Sequence, residues 1–122
     1  MKAVLDTNVL VDYLAGDERA REELRRYRHP WISRITWMEI MVGVSQDGAE
    51  EAAVRSFLGG FGLVEITEAV AEQAVQLRRE HRLRLPDAII LASARVEQCL
   101  LGTRNTRDFK PEWPDIRVPY GR

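Results

Sequence analysis

Four segments of this chain set an acidic or amide residue among apolar neighbours. They are Val4-Leu5-Asp6-Thr7-Asn8, Trp37-Met38-Glu39-Ile40-Met41, Leu85-Pro86-Asp87-Ala88-Ile89 and Thr103-Arg104-Asn105-Thr106-Arg107-Asp108-Phe109. Most other acids stand in charged runs such as Asp17-Glu18 or Glu50-Glu51, where water solvates them. A carboxylate near a core must be paired, hydrogen-bonded or bound to a cation. Several of them, drawn from distant parts of one chain, suggest a site for a hard divalent ion. A Mg²⁺ site needs a few carboxylates and open positions for water and substrate phosphate.

Each residue also has a simpler role open to it. Asp6 can cap the helix after it, Glu39 can lie at the solvent edge of an amphipathic helix, and Asp87 can serve its helix dipole. Asn105 and Asp108 can shape a turn. The set says more than its members. On a helix, the stripe neighbours of Glu39 are Ile35, Thr36, Val42 and Gly43, so it has no local ion-pair partner. That stripe directs its carboxylate into packing or a cleft, and Gly43 is expected to let a backbone or ligand come close.

The elements that must position these groups alternate between short strands and helices. Lys2 to Leu5 reads as a buried strand ending at Asp6, and Val9 to Leu14 as a helix capped by Asp6 or Thr7 and closed by Gly16. Asp17-Glu18 opens a second helix with Ala20, Leu24 and Tyr27 on its apolar stripe. Trp31 to Ser33 reads as a strand, and Thr36 to about Val44 as a helix stopped near Gln46-Asp47-Gly48. Ala49 to Leu58 is a further helix, Leu63 to Ile66 a strand, and Thr67 caps a helix with Val70, Ala74 and Leu77 at a 3.6-residue period. Pro86 suits the first turn of the next helix. Cys99 to Thr103 and Ile116 to Val118 read as strands. This alternation predicts an α/β fold with a mainly parallel sheet. In such sheets ligands bind beyond the carboxyl ends of the strands. Asp6 and the Thr103–Asp108 loop lie there, and Asp87 at a helix start can face the same edge.

Length and composition limit the alternatives. A chain of 122 residues favours one domain, residues 1–122, around one core. With 45% hydrophobic and 30% charged residues it fits a soluble globular protein. Its apolar runs are too short for a membrane span, and an acid at position 6 comes too early for a secretory signal. Cys99 is the single cysteine, which excludes an internal disulfide and makes a reducing cytoplasm the expected compartment. With only His29 and His81 beside it, a Cys/His zinc site is not expected. The net charge of −1 gives no global basic field. Of the cations, only Lys2 and Lys110 are lysines. Arg19, Arg21, Arg25, Arg26 and Arg28 form one cluster, and Arg78, Arg79, Arg82 and Arg84 another. Glu22, Glu23 and Glu80 are interleaved, so both read as solvated helix faces. Arg104 and Arg107 lie inside the last acidic segment, where arginine suits phosphate.

Taken in order and spacing, Leu5-Asp6-Thr7-Asn8-Val9-Leu10, Glu39 with Gly43, Leu85-Pro86-Asp87-Ala88-Ile89-Ile90-Leu91-Ala92-Ser93-Ala94 and Thr103-Arg104-Asn105-Thr106-Arg107-Asp108-Phe109 resemble the PIN-domain ribonucleases. The match is nearest to the VapC-like toxins of toxin–antitoxin pairs. It runs almost end to end. The resemblance implies a three-layer α/β/α fold and a Mg²⁺- or Mn²⁺-dependent endoribonuclease. Asp6, Glu39 and Asp87 match the family's acidic triad. Asp6 and Asp87 would hold metal, and Glu39 would do so directly or through water. Asn105 stands where many relatives carry Asp, so Asn105, Asp108 or both complete the catalytic set. Thr7, Asn8 and Thr103 would support the carboxylates from behind, and Arg104 and Arg107 would contact RNA phosphates. Hydrolysis in line would leave a 5′ phosphate and a 3′ hydroxyl.

The resemblance also implies a homodimer and a small VapB-like antitoxin that blocks the groove. Contact with DNA would come only through that partner, and no membrane is involved. Some of the large rings, Trp31, Trp37, Trp113, Phe57, Phe61 and Tyr13, can be interface anchors, with core filling the role expected for most. A receiver domain would need a second acid beside the first. A haloacid-dehalogenase-type phosphatase would want Asp where Asn8 stands. A PIN-fold nuclease of RNA maturation and a non-catalytic PIN-like binding module are the alternatives within the resemblance.

Overall fold

The computed structural model describes residues 1–46 and 48–121. Its strands are β1 (Ala3–Leu5), β2 (Trp31–Ser33), β3 (Gly62–Val64), β4 (Leu100–Gly102) and β5 (Ile116–Arg117). Its helices are α1 (Thr7–Leu14), α2 (Glu18–Arg25), α3 (Arg34–Val42), α4 (Ala49–Leu58), α5 (Glu68–His81) and α6 (Leu85–Val96). The five strands form one sheet in the order β3-β2-β1-β4-β5, and every pairing is parallel. The fold is three-layer α/β/α, as expected.

Alternation along β1 separates two cores. Val4 belongs to the cluster built with α5 and α6, including Val70, Leu77 and Leu91. Ala3 and Leu5 belong to the cluster that holds Leu10, Ile40, Val54 and Leu58 from α1, α3 and α4. Period-two side chains on a sheet covered on both faces produce this arrangement. Each fully buried Leu or Ile contributes roughly 1.5–3 kcal/mol, so three-residue strands suffice when both faces are covered.

The chain crosses from β1 to β2 on one side and returns to β4 on the other. The strand order therefore reverses between β1 and β4, where open α/β sheets form their crevice. The two strands run in register, Leu5 opposite Gly102, and the Asp6 N–H donates to the Gly102 carbonyl over 2.8 Å. A Cβ on Gly102 would lie 2.9 Å from Leu5 Cδ2, so a larger residue there would force the Leu5 side chain to shift. At Gly62 a Cβ would meet the Trp31 ring at 2.5 Å.

Local capping explains most boundaries. Asp6 caps α1, Asp17 caps α2 and Thr67 caps α5 with a side-chain bond from the Val70 N–H. Helix α3 starts two residues earlier than expected because Ser33, not Thr36, caps it, its Oγ accepting the Ile35 N–H at 3.2 Å. The turn expected near Gln46-Asp47-Gly48 includes Asp47, which lies outside the described residues.

Two expectations are corrected. Gly43 closes α3 as its C-cap, and a Cβ there would meet only the Ile40 carbonyl at an ordinary 3.6 Å, so no backbone approaches closely among the described residues. Glu23 is not part of a solvated face. It is 3% exposed, takes two hydrogen bonds from Arg117 (2.7 and 2.9 Å) and one from the Tyr27 hydroxyl (2.6 Å). The large rings mainly fill core, as expected: Phe61 is buried, Trp31, Trp37, Trp113 and Phe57 are half-buried and pack against the two clusters, and Phe109 leads the fully buried side chains in size. Among the described residues no helix is long and apolar enough to cross a membrane.

Candidate active site

Asp6 leaves β1 at the switch point and is buried, at 4% exposure. Its Oδ1 accepts the Thr7 N–H at 2.7 Å, which is the capping bond of α1. Its Oδ2 accepts from the Thr103 hydroxyl at 2.7 Å and from the Asn8 amide at 3.2 Å. One carboxylate therefore starts a helix and joins the ends of β1 and β4. Burial pushes the Asp6 carboxyl up to about 6, hydrogen bonds from Thr103 and the Thr7 N–H pull it back, and the charges of Asp87 and Glu39 raise it again.

Glu39 comes from the middle of α3. It is exposed, and its Oε1 accepts the Thr7 hydroxyl proton at 2.6 Å. The buried Thr36 hydroxyl lies 3.0 Å from that of Thr7. α3 thus presents Glu39 to α1 through a threonine pair, with the carboxylate on the cleft wall rather than in the core.

Asp87 sits in the first turn of α6, behind Pro86. It is 9% exposed, and its Oδ2 is buried with no hydrogen-bond partner. The nearest cation, Arg84 Nε, is 3.6 Å away, an ion pair too long for a hydrogen bond. Burial raises the Asp87 carboxyl, Arg84 lowers it, and Asp108 and Glu39 raise it.

Asp6, Thr7, Asn8, Glu39, Asp87 and Asn105 share one cleft of about 300 Å³, whose rim carries Arg84 and Arg104. Asp108 is not on its wall. It lines an adjoining cleft of about 350 Å³ with Arg107 and Thr106, which Asn8, Asn105, Arg84 and Arg104 also border. Asn105 and Asp108 are tied together: the Asn105 amide donates to Asp108 Oδ2 at 3.0 Å, and the Asp108 N–H donates to Asn105 Oδ1 at 3.2 Å. Asn105 therefore borders the carboxylate cleft with its amide held by Asp108. Fully buried Phe109 anchors this loop, and the Thr103 hydroxyl accepts the Asn105 N–H at 2.9 Å.

Arg104 is positioned by residues that the sequence reading passed over. Its Nε and Nη2 donate to Asp12 at 2.8 and 3.1 Å, and the Tyr120 hydroxyl donates to the same carboxylate at 2.9 Å. Its backbone N–H donates to Asn8 Oδ1. Asp12 lies one helical turn beyond Asn8, a spacing that marks a shared face; nothing in the sequence marks Tyr120. Arg84, expected on a solvated arginine-rich face, instead borders the cleft three residues before Asp87. Arg107 is exposed and makes no side-chain ion pair among the described residues.

The donor set suits a hard divalent ion. Its atoms are carboxylate oxygens, one of them is buried and unpartnered, and their mutual repulsion leaves them in need of positive charge. Among the described residues no three His, Cys, Asp or Glu side chains stand close enough to cage a metal unaided. An ion here would keep part of its water, as Mg²⁺ usually does. A larger cavity of about 760 Å³ lies at the other end of the sheet beside Met1, Lys2, Cys99 and Leu100. Its one acid, Asp115, has one oxygen paired with Arg95 at 2.8 Å and the other buried without a hydrogen bond, but among the described residues no second carboxylate lines this cavity, so it offers no comparable site.

Comparison with known proteins agrees with this geometry. The family described as "PIN domain" matches residues 3–110. No curated protein is significantly similar in sequence. Among solved structures, a chain of a toxin–antitoxin complex from Klebsiella pneumoniae is 41% identical, with 98% of this chain and 99% of that chain covered and a TM-score of 0.91. A chain of DNA-bound VapBC from Salmonella typhimurium is 26% identical over 99% and 98% of the two chains, with a TM-score of 0.80. A chain of FitAcB from Neisseria gonorrhoeae is 25% identical over 98% of each, also with a TM-score of 0.80.

Proposed function

Because the chain belongs to the PIN-domain family, we propose that it is a Mg²⁺-dependent endoribonuclease acting as the toxin of a VapBC-type pair. The observation that carries this reading is the convergence of Asp6, Glu39 and Asp87 on one cleft, with an oxygen of Asp87 buried and unpartnered. The 41% identity to a chain from a toxin–antitoxin complex supports the toxin assignment.

Asp6 and Asp87 would hold the ion, with Glu39 completing its surroundings directly or through water. Mn²⁺ would substitute for Mg²⁺. Bound there, the ion supplies Lewis-acid chemistry, neutralising phosphate charge and making water more acidic. The protein's own groups do the rest. Thr103 and Asn8 orient Asp6 by donating to Oδ2, and the Thr7 N–H fixes Oδ1. The Thr7 hydroxyl occupies Glu39 Oε1, which leaves Oε2 to orient a water and accept its proton. Asn105 offers a neutral amide where a fourth carboxylate would add repulsion against RNA. Arg107, exposed on the neighbouring cleft, contacts flanking phosphates, and Arg104 offers what Asp12 leaves free.

The partners follow from the same reading: a small antitoxin over the cleft, DNA contact through that antitoxin, a homodimer, RNA as substrate and the cytoplasm as compartment. The test is cleavage of structured and total RNA by protein freed of copurifying antitoxin, with Mg²⁺ or with EDTA. Cleavage with 5′-phosphate ends that stops in EDTA is expected. Cleavage that persists in EDTA rejects the metal mechanism. Tight antitoxin-like partner binding without cleavage would point instead to a non-catalytic PIN-like module.

A further inference from the structure

Among the described residues, Arg84 is the one cation within 4.0 Å of the carboxylates of Asp6, Glu39, Asp87 or Asp108. It stands at the N-cap of α6 without a capping hydrogen bond from its side chain. That side chain is 81% exposed and lies over an Asp87 side chain that is 12% exposed. It also borders both the carboxylate cleft and the adjoining cleft of Arg104 and Arg107.

The two cleft arginines nearest the carboxylates are committed differently. Arg104 gives two donors to Asp12, whose carboxylate a third donor, Tyr120, also binds. That pair is bidentate, half-buried and firm. Arg84 faces Asp87 at 3.6 Å, beyond hydrogen-bond reach. Its attraction is mainly Coulombic, on an exposed arm, and such pairs hold weakly. Asp87 is also the carboxylate whose unpartnered oxygen a divalent ion would claim.

We propose that Arg84 is a phosphate-binding residue whose guanidinium rests over Asp87 until a divalent ion takes that carboxylate. This rests on the nuclease reading of the cleft. Once the ion neutralises Asp87, the pair loses its attraction. The five N–H donors of the guanidinium, in a fork that matches phosphate, then serve the RNA backbone beside the cleft. Arg84 thus competes with the metal in the free protein and works with it once RNA is present. Removing it changes the two affinities in opposite directions, which an ordinary surface ion pair does not do.

The test uses the full chain, Arg84→Gln and Arg84→Lys, in two titrations. Mn²⁺ binding without RNA is followed by calorimetry. Binding of a labelled 12-nucleotide RNA in Ca²⁺ buffer is followed by anisotropy, with RNA integrity checked on a gel. In Arg84→Gln, Mn²⁺ should bind about 2- to 5-fold more tightly, the range an exposed ion pair supports. RNA should bind several-fold more weakly, and the slope of log affinity against log salt should fall by about 0.7, one phosphate contact on a single strand. Arg84→Lys should keep the wild-type Mn²⁺ affinity and recover part of the RNA affinity. Unchanged or weaker Mn²⁺ binding in Arg84→Gln, or unchanged RNA affinity and salt slope, overturns the proposal. A wild type that binds Mn²⁺ and RNA but never cuts rejects the nuclease reading and leaves Arg84 to be judged on the titrations. A wild type that binds neither rejects both.

Discussion

Thr103 donates its hydroxyl proton to Asp6 Oδ2 over 2.7 Å, joining positions 97 residues apart at the ends of β4 and β1. Both residues are buried, and the bond is one of two that hold the Asp6 carboxyl down against burial. Thr103→Val keeps the shape and removes the donor. Supporting hydrogen bonds around metal ligands typically matter 10- to 100-fold, so about a 10-fold loss of Mn²⁺ affinity and of cleavage is expected. Thr103→Ser should recover most of both. Calorimetry and cleavage rates on the two variants provide the check.

The buried Asp6 carboxylate destabilises the metal-free fold at neutral pH. Its carboxyl is raised from 3.8 to about 6, so the folded protein holds this proton more tightly than the unfolded chain. The resulting stabilisation is complete below about pH 4 and fades as pH rises through about 6. Above that, the ionised group costs on the order of 3 kcal/mol at 1.36 kcal/mol per unit. Asp6→Asn in EDTA should therefore melt at a higher temperature than wild type at pH 7.5, with the gain shrinking towards pH 4.5. A lower melting temperature at pH 7.5 contradicts this.

Metal binding should reverse the same cost. Mn²⁺ or Mg²⁺ should raise the melting temperature of wild type more at pH 7.5 than at pH 5, where protons compete for Asp6 and Asp87, both raised by burial. At pH 5.5 binding should release protons. Calorimetry in two buffers of different ionisation enthalpy measures that release, and equal apparent enthalpies in both would exclude it.

Stability away from the cleft rests on Glu23, which is 3% exposed and bonded to Arg117 and Tyr27. Burial raises its carboxyl, but the Arg117 and Tyr27 hydrogen bonds outweigh burial and leave it below the usual range. Its contribution is present above its unfolded pKa and lost as pH falls through the lowered value. The Arg117 side chain is 25% exposed and rehydrates, so removing Glu23 costs about 1–3 kcal/mol, chiefly for the buried Tyr27 hydroxyl left unpaired. Glu23→Ala should lose roughly that in urea unfolding at pH 7, while cleavage per folded molecule stays at the wild-type level.

The parts of the molecule that were legible in the sequence are those set by neighbours in the chain. Helix α4 has the bounds read from its apolar spacing, Thr67 caps where expected, Asp6 is the one of the two expected candidates that caps α1, and Asp17-Glu18 opens α2 as expected. The placement of Asp6 and Asp87 was legible because they are acids inside apolar segments, and both are buried on one cleft. Glu39 stands apart: its uncharged stripe implied a cleft or packing, and it is exposed on the cleft wall. Pairings across the fold left no local mark. Glu23 meets Arg117 across 94 positions and Asp12 meets Tyr120 across 108, so Glu23 reads as a solvated helix charge and Asp12 carries no local sign of its partner. Arg84 read as part of an arginine-rich surface because its proximity to the cleft follows from where α6 begins.

Under the proposed function, Asp87 is a metal-holding carboxylate of a ribonuclease. The most direct test of that role is the rate of RNA cleavage by Asp87→Asn against wild type in Mg²⁺, with folding matched by circular dichroism and with an EDTA control. Asn keeps the size and removes the charge from the one triad residue whose buried oxygen lacks a hydrogen bond. The expected result is wild-type cleavage abolished by EDTA and a loss of about 100-fold or more in the variant, the scale of removing a main electrostatic contributor. A folded Asp87→Asn protein that cuts RNA at the wild-type rate would contradict the account.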